Sequence, residues 1–129
     1  MKKIPFLSVL FFLTLTAFTL QSGIENVIGA LKSGNSAGLS RYFDNYVDIT
    51  LPDKSNSYSK SQAELILKDF FSNNGVKTFE VKHKGENEDN KSQYCIGTLQ
   101  TRNGNYRVNV FMKNKEDKML IQELRIQQQ

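Results

Sequence analysis

The stretch that decides the fold is YCIGTLQTRNGNYRVNVFMK, residues 94–113. On both sides of Asn103-Gly104, apolar or aromatic residues alternate with polar ones. A period of two is typical of half-buried strands. Asn-Gly between two such runs favours a two-residue hairpin turn. The sequence therefore predicts two paired antiparallel strands at 93–101 and 105–113.

The alternation continues on both sides of this hairpin. Further strands are predicted at about 76–84 and 118–127, with a charged loop at 85–91 and a turn at Lys115-Glu116-Asp117. Short polar connections join antiparallel neighbours. The second half of the chain is therefore predicted to form a four-stranded meander.

The first half carries helical periodicity instead. Apolar residues recur from Ile24 to Leu31 at spacings of three and four, and Gly34 suits the end of that helix. Ser36 is predicted to cap a second short helix that includes Tyr42 and Phe43. A short strand at 46–51 follows, and 52–56 reads as a turn because it contains proline, aspartate and asparagine.

The segment SYSKSQ, residues 57–62, opens the longest predicted helix, 59–71. Ser57 and Lys60 have the spacing of the serine-lysine pair of penicillin-recognising acyl enzymes, but the Lys-Thr-Gly element of those enzymes is absent from the sequence. Ser59 and Gln62 fit a Ser-x-x-Gln capping box. We interpret the segment as a helix start and not as a nucleophile.

Residues 1–22 have the pattern of an export signal. Lys2 and Lys3 precede an apolar run from Ile4 to Leu20, after which the chain turns polar. An uncleaved signal anchor is the alternative, and a lipoprotein is not expected because no cysteine lies near residue 20. We expect a single domain at 23–129 that is exported to the periplasm or the cell exterior and keeps no membrane span.

Charge and cysteine content narrow the possible partners. The formal net charge is +4, and Lys2 and Lys3 supply half of it. The remaining acids and bases are interspersed, so no nucleic acid is expected as a partner. Cys95 is the only cysteine, so no intrachain disulfide can form. Its apolar strand neighbourhood predicts a small buried side chain.

The order of elements resembles a known superfamily. The predicted order is helix, helix, short strand, capped helix and four long strands. This order is similar to that of the cystatin-like half-cone of nuclear transport factor 2 and ketosteroid isomerase. The segments IENVIGALKSGN, SRYFDNYVDITLP and SKSQAELILKDFF carry the likeness at the start. With HKG and LIQELRI they resemble an uncharacterised family of small exported Bacteroidetes domains. The resemblance implies an α+β fold, with helices packed on a curved, mainly antiparallel sheet of four to five strands.

The resemblance does not carry the isomerase chemistry with it. It places the isomerase's oxyanion-hole tyrosine at Val27 and its general-base aspartate at Leu51, and neither aliphatic side chain can do that work. The segment 97–112 contains no aspartate or glutamate to serve as the late-strand acid. Steroid isomerisation is therefore not expected.

His83 is the only histidine and the weak candidate for a general base. The strand pattern places it on one face with Phe79 and Val81, inside the cone, where Tyr94 or Asp48 would orient it. The alternative is a structural histidine at a strand end. No close-spaced pattern of histidine and cysteine joins it, so neither a metal nor another cofactor is expected.

Other polar residues could line a pocket. Arginines can grip a carboxylate, although on a sheet face they more often cover it with their stems. Asp44 and Asp48 are interpreted as capping or solvent-facing acids. The predicted pocket residues are His83, Tyr58, Tyr94, Tyr106 and Arg107. Arg125 lies on another late strand and could bind a carboxylate in the same way as Arg107.

The sequence favours a non-enzymatic domain that binds a small molecule or a protein partner, in or on the cone. A homodimer through the open sheet fits this hypothesis. One alternative is a small lyase, isomerase or hydrolase that uses His83. The other is an envelope-associated structural or interaction protein.

Overall fold

A computed structural model describes residues 23–87 and 91–129 of the chain. Within these residues the chain forms three helices and six strands. The predicted export signal at 1–22 and part of the predicted charged loop lie outside the described residues. The helices are α1 (Gly23–Ser33), α2 (Ser36–Ser40) and α3 (Lys60–Asn74), and the strands are β1 (Phe43–Leu51), β2 (Lys54–Ser59), β3 (Val76–Glu86), β4 (Ser92–Thr101), β5 (Gly104–Lys115) and β6 (Lys118–Gln128).

The six strands form one curved sheet in the order β2-β1-β6-β5-β4-β3. The predicted meander is confirmed, because β3 to β6 pair with their neighbours in antiparallel register. β1 pairs with β6 in parallel and with β2 in antiparallel register. The helices pack against one face of this sheet, which we call the inner face; the opposite face is the outer face. The predicted α+β class is therefore correct.

The predicted strand count of four to five is wrong, because β2 occupies much of the predicted turn at 52–56. Only Pro52-Asp53 remains as the turn. The β2 sequence KSNSYS has no apolar alternation, and it is exposed along most of its length. Its backbone pairs with β1, and the hydroxyls of Thr50 and Ser55 lie 3.0 Å apart. Backbone pairing, not a buried face, makes this edge strand.

The start of α3 is the predicted capping box. The Ser59 hydroxyl accepts from the Gln62 amide at 3.3 Å, and the Gln62 side chain accepts from the Ser59 amide at 3.1 Å. Ser57 lies in β2, so it shares no helical face with Lys60. Gly75, with φ of 69°, ends the helix in the left-handed conformation. The interpretation of SYSKSQ as a helix start is confirmed.

Two details of the short elements differ from the prediction. α2 is capped by Asn35, whose side chain accepts from the Gly38 amide at 2.9 Å, and not by Ser36. Asparagine is an equally good cap, and it precedes the serine by one residue. α2 also ends at Ser40, so Phe43 opens β1 instead of closing the helix.

The two hairpin turns lie within one residue of their predicted positions. In the first, Thr101 pairs with Gly104, so the loop residues are Arg102-Asn103 and the prediction is wrong by one residue. In the second, Glu116 and Asp117 have φ of 54° and 66°. Two positive φ values match the twist of the flanking strands.

Candidate functional site

The interior of the cone is filled by side chains. Residues from the helices meet the inner face of the sheet, and together they form one buried hydrophobic core. Val27 and Leu51, the positions at which the sequence resemblance places the isomerase's catalytic residues, belong to this core. The predicted concave pocket is thus occupied by packing. The filling side chains include Leu31, Leu39, Leu67, Phe79, Leu99, Met112, Ile121 and Leu124.

His83 lies on the outer face, so the prediction that it shares a face with Phe79 and Val81 is wrong. A register shift separates Val81, which pairs with Gly97, from His83, which pairs with Ile96. Lys82 is the extra residue of this bulge. One inserted residue exchanges the two faces of a strand, because side chains alternate with a period of two.

The bulge removes the surroundings that a catalytic histidine needs. His83 is exposed, and among the described residues no hydrogen bond joins its ring to a carboxylate or a tyrosine. A general base needs an orienting partner and a site that excludes water. The geometry therefore gives no support to the alternative in which His83 works as a general base inside the cone.

Arg107 shares a shallow cavity with His83 on the outer face. This cavity has a volume of about 270 Å³ and is also lined by Lys82 and Thr98. The Arg107 Nε donates to Asn109 Oδ1 at 3.4 Å. The structure brings together these two members of the predicted pocket, but outside the cone.

The predicted tyrosines do not join this pair. Tyr94 lies on the outer face, 42% exposed, with its ring over the backbone of Gly85. Tyr106 is buried, donates to Asn74 Oδ1 at 3.0 Å and meets Phe70 edge to face at a centroid distance of 5.1 Å. Tyr58 is half-buried on β2 at the far edge of the sheet. The five predicted residues therefore do not form one pocket.

Asp44 is not a solvated acid, which corrects its interpretation from the sequence. It is 8% exposed and accepts from Lys115 Nζ at 2.9 Å and from Gln122 Nε2 at 3.1 Å. The Lys115 hydrogen bond lowers the pKa of Asp44, against the opposing effect of desolvation. The cluster ties the start of β1 to the β5–β6 hairpin.

Cys95 is fully buried on β4, as predicted. Burial raises the pKa of its thiol to about 11, and the nearby Lys84 only partly opposes this effect. A thiol that stays protonated at neutral pH is a poor nucleophile. Cys95 therefore acts as a small apolar side chain.

Strand register defines the outer face row by row. Tyr94 pairs with Phe111, which pairs with Glu123, which in turn pairs with Asp48 on β1. The next row follows the same pairing across neighbouring strands, and its residues in order are His83, Ile96, Asn109, Arg125 and Thr50. An aromatic pair thus lies beside two acids, with basic side chains one row away.

Sequence reasoning missed this surface as a unit. Phe111 is 38% exposed and adjoins Tyr94, yet only Tyr94 was among the candidates. The signal was present in the hairpin, because Tyr94 and Phe111 occupy the polar positions of the alternation. An aromatic side chain at a position that faces solvent marks a contact surface.

Two further findings concern ions and membranes. Across residues 23–87 and 91–129, no group of three or more histidine, cysteine or acidic side chains could hold a metal ion. No helix in the same part of the chain has the length and apolar character required to span a bilayer.

Comparisons with known proteins match this architecture. A family model described as a domain of unknown function, DUF4783, covers residues 24–127. A DUF4783 family protein from Bacteroides uniformis is 41% identical over 81% of this chain and 95% of its own, with a TM-score of 0.77. One from Bacteroides ovatus is 38% identical over 81% and 93%, with a TM-score of 0.76. No curated protein matches the chain.

A more distant structure extends the likeness in fold alone. An NTF2-like protein of unknown function from Cytophaga hutchinsonii is 10% identical over 84% of this chain and 92% of its own, with a TM-score of 0.58. The half-cone architecture predicted from the sequence is therefore correct.

Proposed function

The chain belongs to the DUF4783 family of domains of unknown function, and from this premise we propose that it is a non-enzymatic binding domain. Its partner is a second copy of the chain, bound through the outer face of the sheet. One observation carries the proposal: the cone interior is packed with side chains, whereas the outer face exposes Tyr94 and Phe111 side by side.

The aromatic pair supplies the centre of such an interface. Interfaces are enriched in aromatic residues at their cores, and flat, adjacent rings bury a large area at a small cost in side-chain entropy. Ile96 is half-buried next to Tyr94 on β4 and extends the apolar area. An exposed aromatic pair on a rigid sheet favours a protein surface as partner over a small ligand.

Charges around the pair favour a second copy. A two-fold contact places the same patch against itself, so that each residue i meets j and each j meets i. Glu123 and Asp48 lie in the row of the aromatics, and Arg125 lies in the next row. A two-fold axis between these rows would place the acids of one copy opposite the basic side chains of the other.

The test is the molar mass of the purified protein in solution, measured by light scattering across a range of concentrations. We expect a dimer that Phe111→Glu converts to a monomer, because the new carboxylate adjoins Glu123. The matched control is Leu65→Glu, which changes a side chain of α3 that is 61% exposed and should leave the dimer intact. A monomeric native protein, or a dimer that survives Phe111→Glu, would overturn the proposal.

Charge reversal tests the two-fold arrangement separately. Glu123→Arg should weaken the dimer, and adding Arg125→Glu in the same chain should restore it, because both rows then carry reversed signs. A double variant that dimerises no better than Glu123→Arg alone would contradict the proposed axis.

Export is a second part of the proposal. Lys2 and Lys3, followed by the apolar run, support removal of residues 1–22 on the way to the periplasm or the cell exterior. Cell fractionation and N-terminal sequencing of the natural protein should give a chain that starts near residue 23, outside the cytoplasm. An intact Met1 in the cytoplasmic fraction would contradict this part.

A further inference from the structure

A cleft opens on the inner side of the sheet, away from the proposed dimer surface. It has a volume of about 340 Å³ and lies between the first turn of α1 and the ends of β3 and β4. This volume falls in the range of small-molecule sites. The side chains that line it are Ile24, Glu25, Lys84, Gly85, Glu86 and Gln93.

The bulge at Lys82 determines the charges of this cleft. Because the strand faces exchange there, Lys84 points inward and its Nζ forms an ion pair with Glu25 of α1. Glu86 lies one strand repeat further on the same face and accepts from Gln93 Nε2 at 3.3 Å. With Lys84 and Glu25 compensating each other, the described residues of the lining carry one net negative charge.

Gln93 adds an unmatched acceptor. Its Oε1 is buried and has no hydrogen-bond donor among the described residues, and it is the one buried side-chain atom in that state. Buried polar atoms in native structures nearly always have partners, so an orphaned acceptor calls for a donor from elsewhere. Since Nε2 already serves Glu86, exchanging the two amide atoms would only move the mismatch.

We infer that the cleft binds a small organic cation that carries a primary ammonium group. The ammonium has three donors and one positive charge, which match Glu86, Gln93 Oε1 and a shared oxygen of Glu25. The ammonium donates to the second carboxylate oxygen of Glu86, while Gln93 Nε2 keeps its hydrogen bond to Glu86 Oε2 and Gln93 Oε1 accepts from the ammonium. The short carbon chain lies against Ile24 and the backbone of Gly85.

An anionic ligand does not fit the same cleft. Among the described residues that line the cleft, its only cationic partner would be Lys84, which is already bound to Glu25, and it would face the Glu86 carboxylate. A quaternary cation would satisfy the charge but could donate no hydrogen bond to Gln93. The specificity therefore depends on N–H donors as well as on charge.

The probe is butylammonium, and the measurement is a titration of the full chain followed by the NMR signals of the Gln93 side-chain amide and the Gly85 amide. We expect saturable shifts that tetramethylammonium and butyrate do not reproduce at equal ionic strength. Glu86→Gln should weaken binding about tenfold or more, because it removes a charge-assisted hydrogen bond. Glu80→Gln is the matched control, since Glu80 lies on the outer face with Lys82.

A second variant separates binding from folding. Gln93→Leu removes the orphaned acceptor, so it should abolish the butylammonium shift at Gly85 while the ligand-free protein melts no earlier than the native one. Equal shifts with butylammonium and tetramethylammonium, or equal affinity in Glu86→Gln, would overturn the inference. Neither outcome bears on the proposed dimer, because dimerisation uses the outer face of the sheet and is measured separately as the molar mass in solution.

Discussion

Gly97 on β4 has no room for a side chain, and this gives the sharpest test of the packing. A Cβ built there would lie 2.4 Å from the carbonyl oxygen of Glu80 and 2.6 Å from the ring of Phe79. Real carbon atoms do not approach so closely, and the carbonyl belongs to the paired backbone of β3. We expect Gly97→Ala to force β3 and β4 apart next to the bulge.

The expected cost follows from two opposing effects. Overpacking a core costs about 1–3 kcal/mol, and the rigid carbonyl favours the upper end of that range. Replacing a strand glycine by alanine returns roughly 0.5–1 kcal/mol of chain entropy. The free energy of unfolding should therefore fall by about 2 kcal/mol, measured as a shift in the urea midpoint at constant slope.

Gly29 on α1 is the matched control. It is exposed, and a Cβ there meets nothing within 4 Å. Gly29→Ala should stabilise the protein by roughly 0.8–1 kcal/mol, because alanine is the better helix former. Glycine-to-alanine substitution should therefore lower the free energy of unfolding at position 97 and raise it at position 29. An unchanged urea midpoint for Gly97→Ala would refute the close contact of Gly97 with Phe79 and Glu80.

Phe79→Leu tests which atom carries the clash. It removes the ring atoms nearest to Gly97 but leaves the Glu80 carbonyl in place. In that background Gly97→Ala should cost less, with a coupling of about 1 kcal/mol, as is common for residues in contact. If the free-energy changes of the two substitutions simply added, the clash caused by Gly97→Ala would come from the Glu80 carbonyl alone.

Three further predictions concern single side chains. Ser59→Ala should cost about 1 kcal/mol, or roughly 4–8 °C in Tm, whereas Ser57→Ala should change little; equal shifts would contradict the capping box. Cys95 should react with a thiol reagent only in denaturant, because burial raises its pKa to about 11; rapid labelling of the native protein would contradict that burial. The pKa of Asp44 is lowered in the folded protein. Its contribution to the free energy of unfolding is therefore fully present above pH 3.8, its ordinary pKa, and is lost as the pH falls through its lower folded pKa. Asp44→Asn should therefore lower the urea midpoint at neutral pH and narrow that difference in acid, and a constant difference would exclude the link to Lys115.

The sequence predicts the parts of the fold that local pattern controls. β3 to β6 alternate apolar and polar residues, so their positions follow from period alone. β2 has no such pattern, because it gains its order from backbone pairing with β1 and not from a buried face. An edge strand of this kind becomes predictable only when its partner is known.

The environments of single residues depend on distant parts of the chain. The position of Asp44 near a predicted helix-to-strand junction indicates a capping or solvent-facing acid. Its partners Lys115 and Gln122 lie 71 and 78 residues away. A carboxylate that is buried by long-range partners leaves no signal in the sequence around it.

The bulge at Lys82 connects the two surfaces that we propose. The bulge places His83 on the outer face, beside Arg107 and Ile96, instead of inside the cone. The same shift turns Lys84 inward, where it meets Glu25 at the mouth of the cone. Without the bulge, strict alternation would exchange the two side chains and bring histidine to the cone. One inserted residue thus sets which side chains face each of the two surfaces: His83 lies beside the proposed dimer surface, and Lys84 lies in the proposed cation cleft.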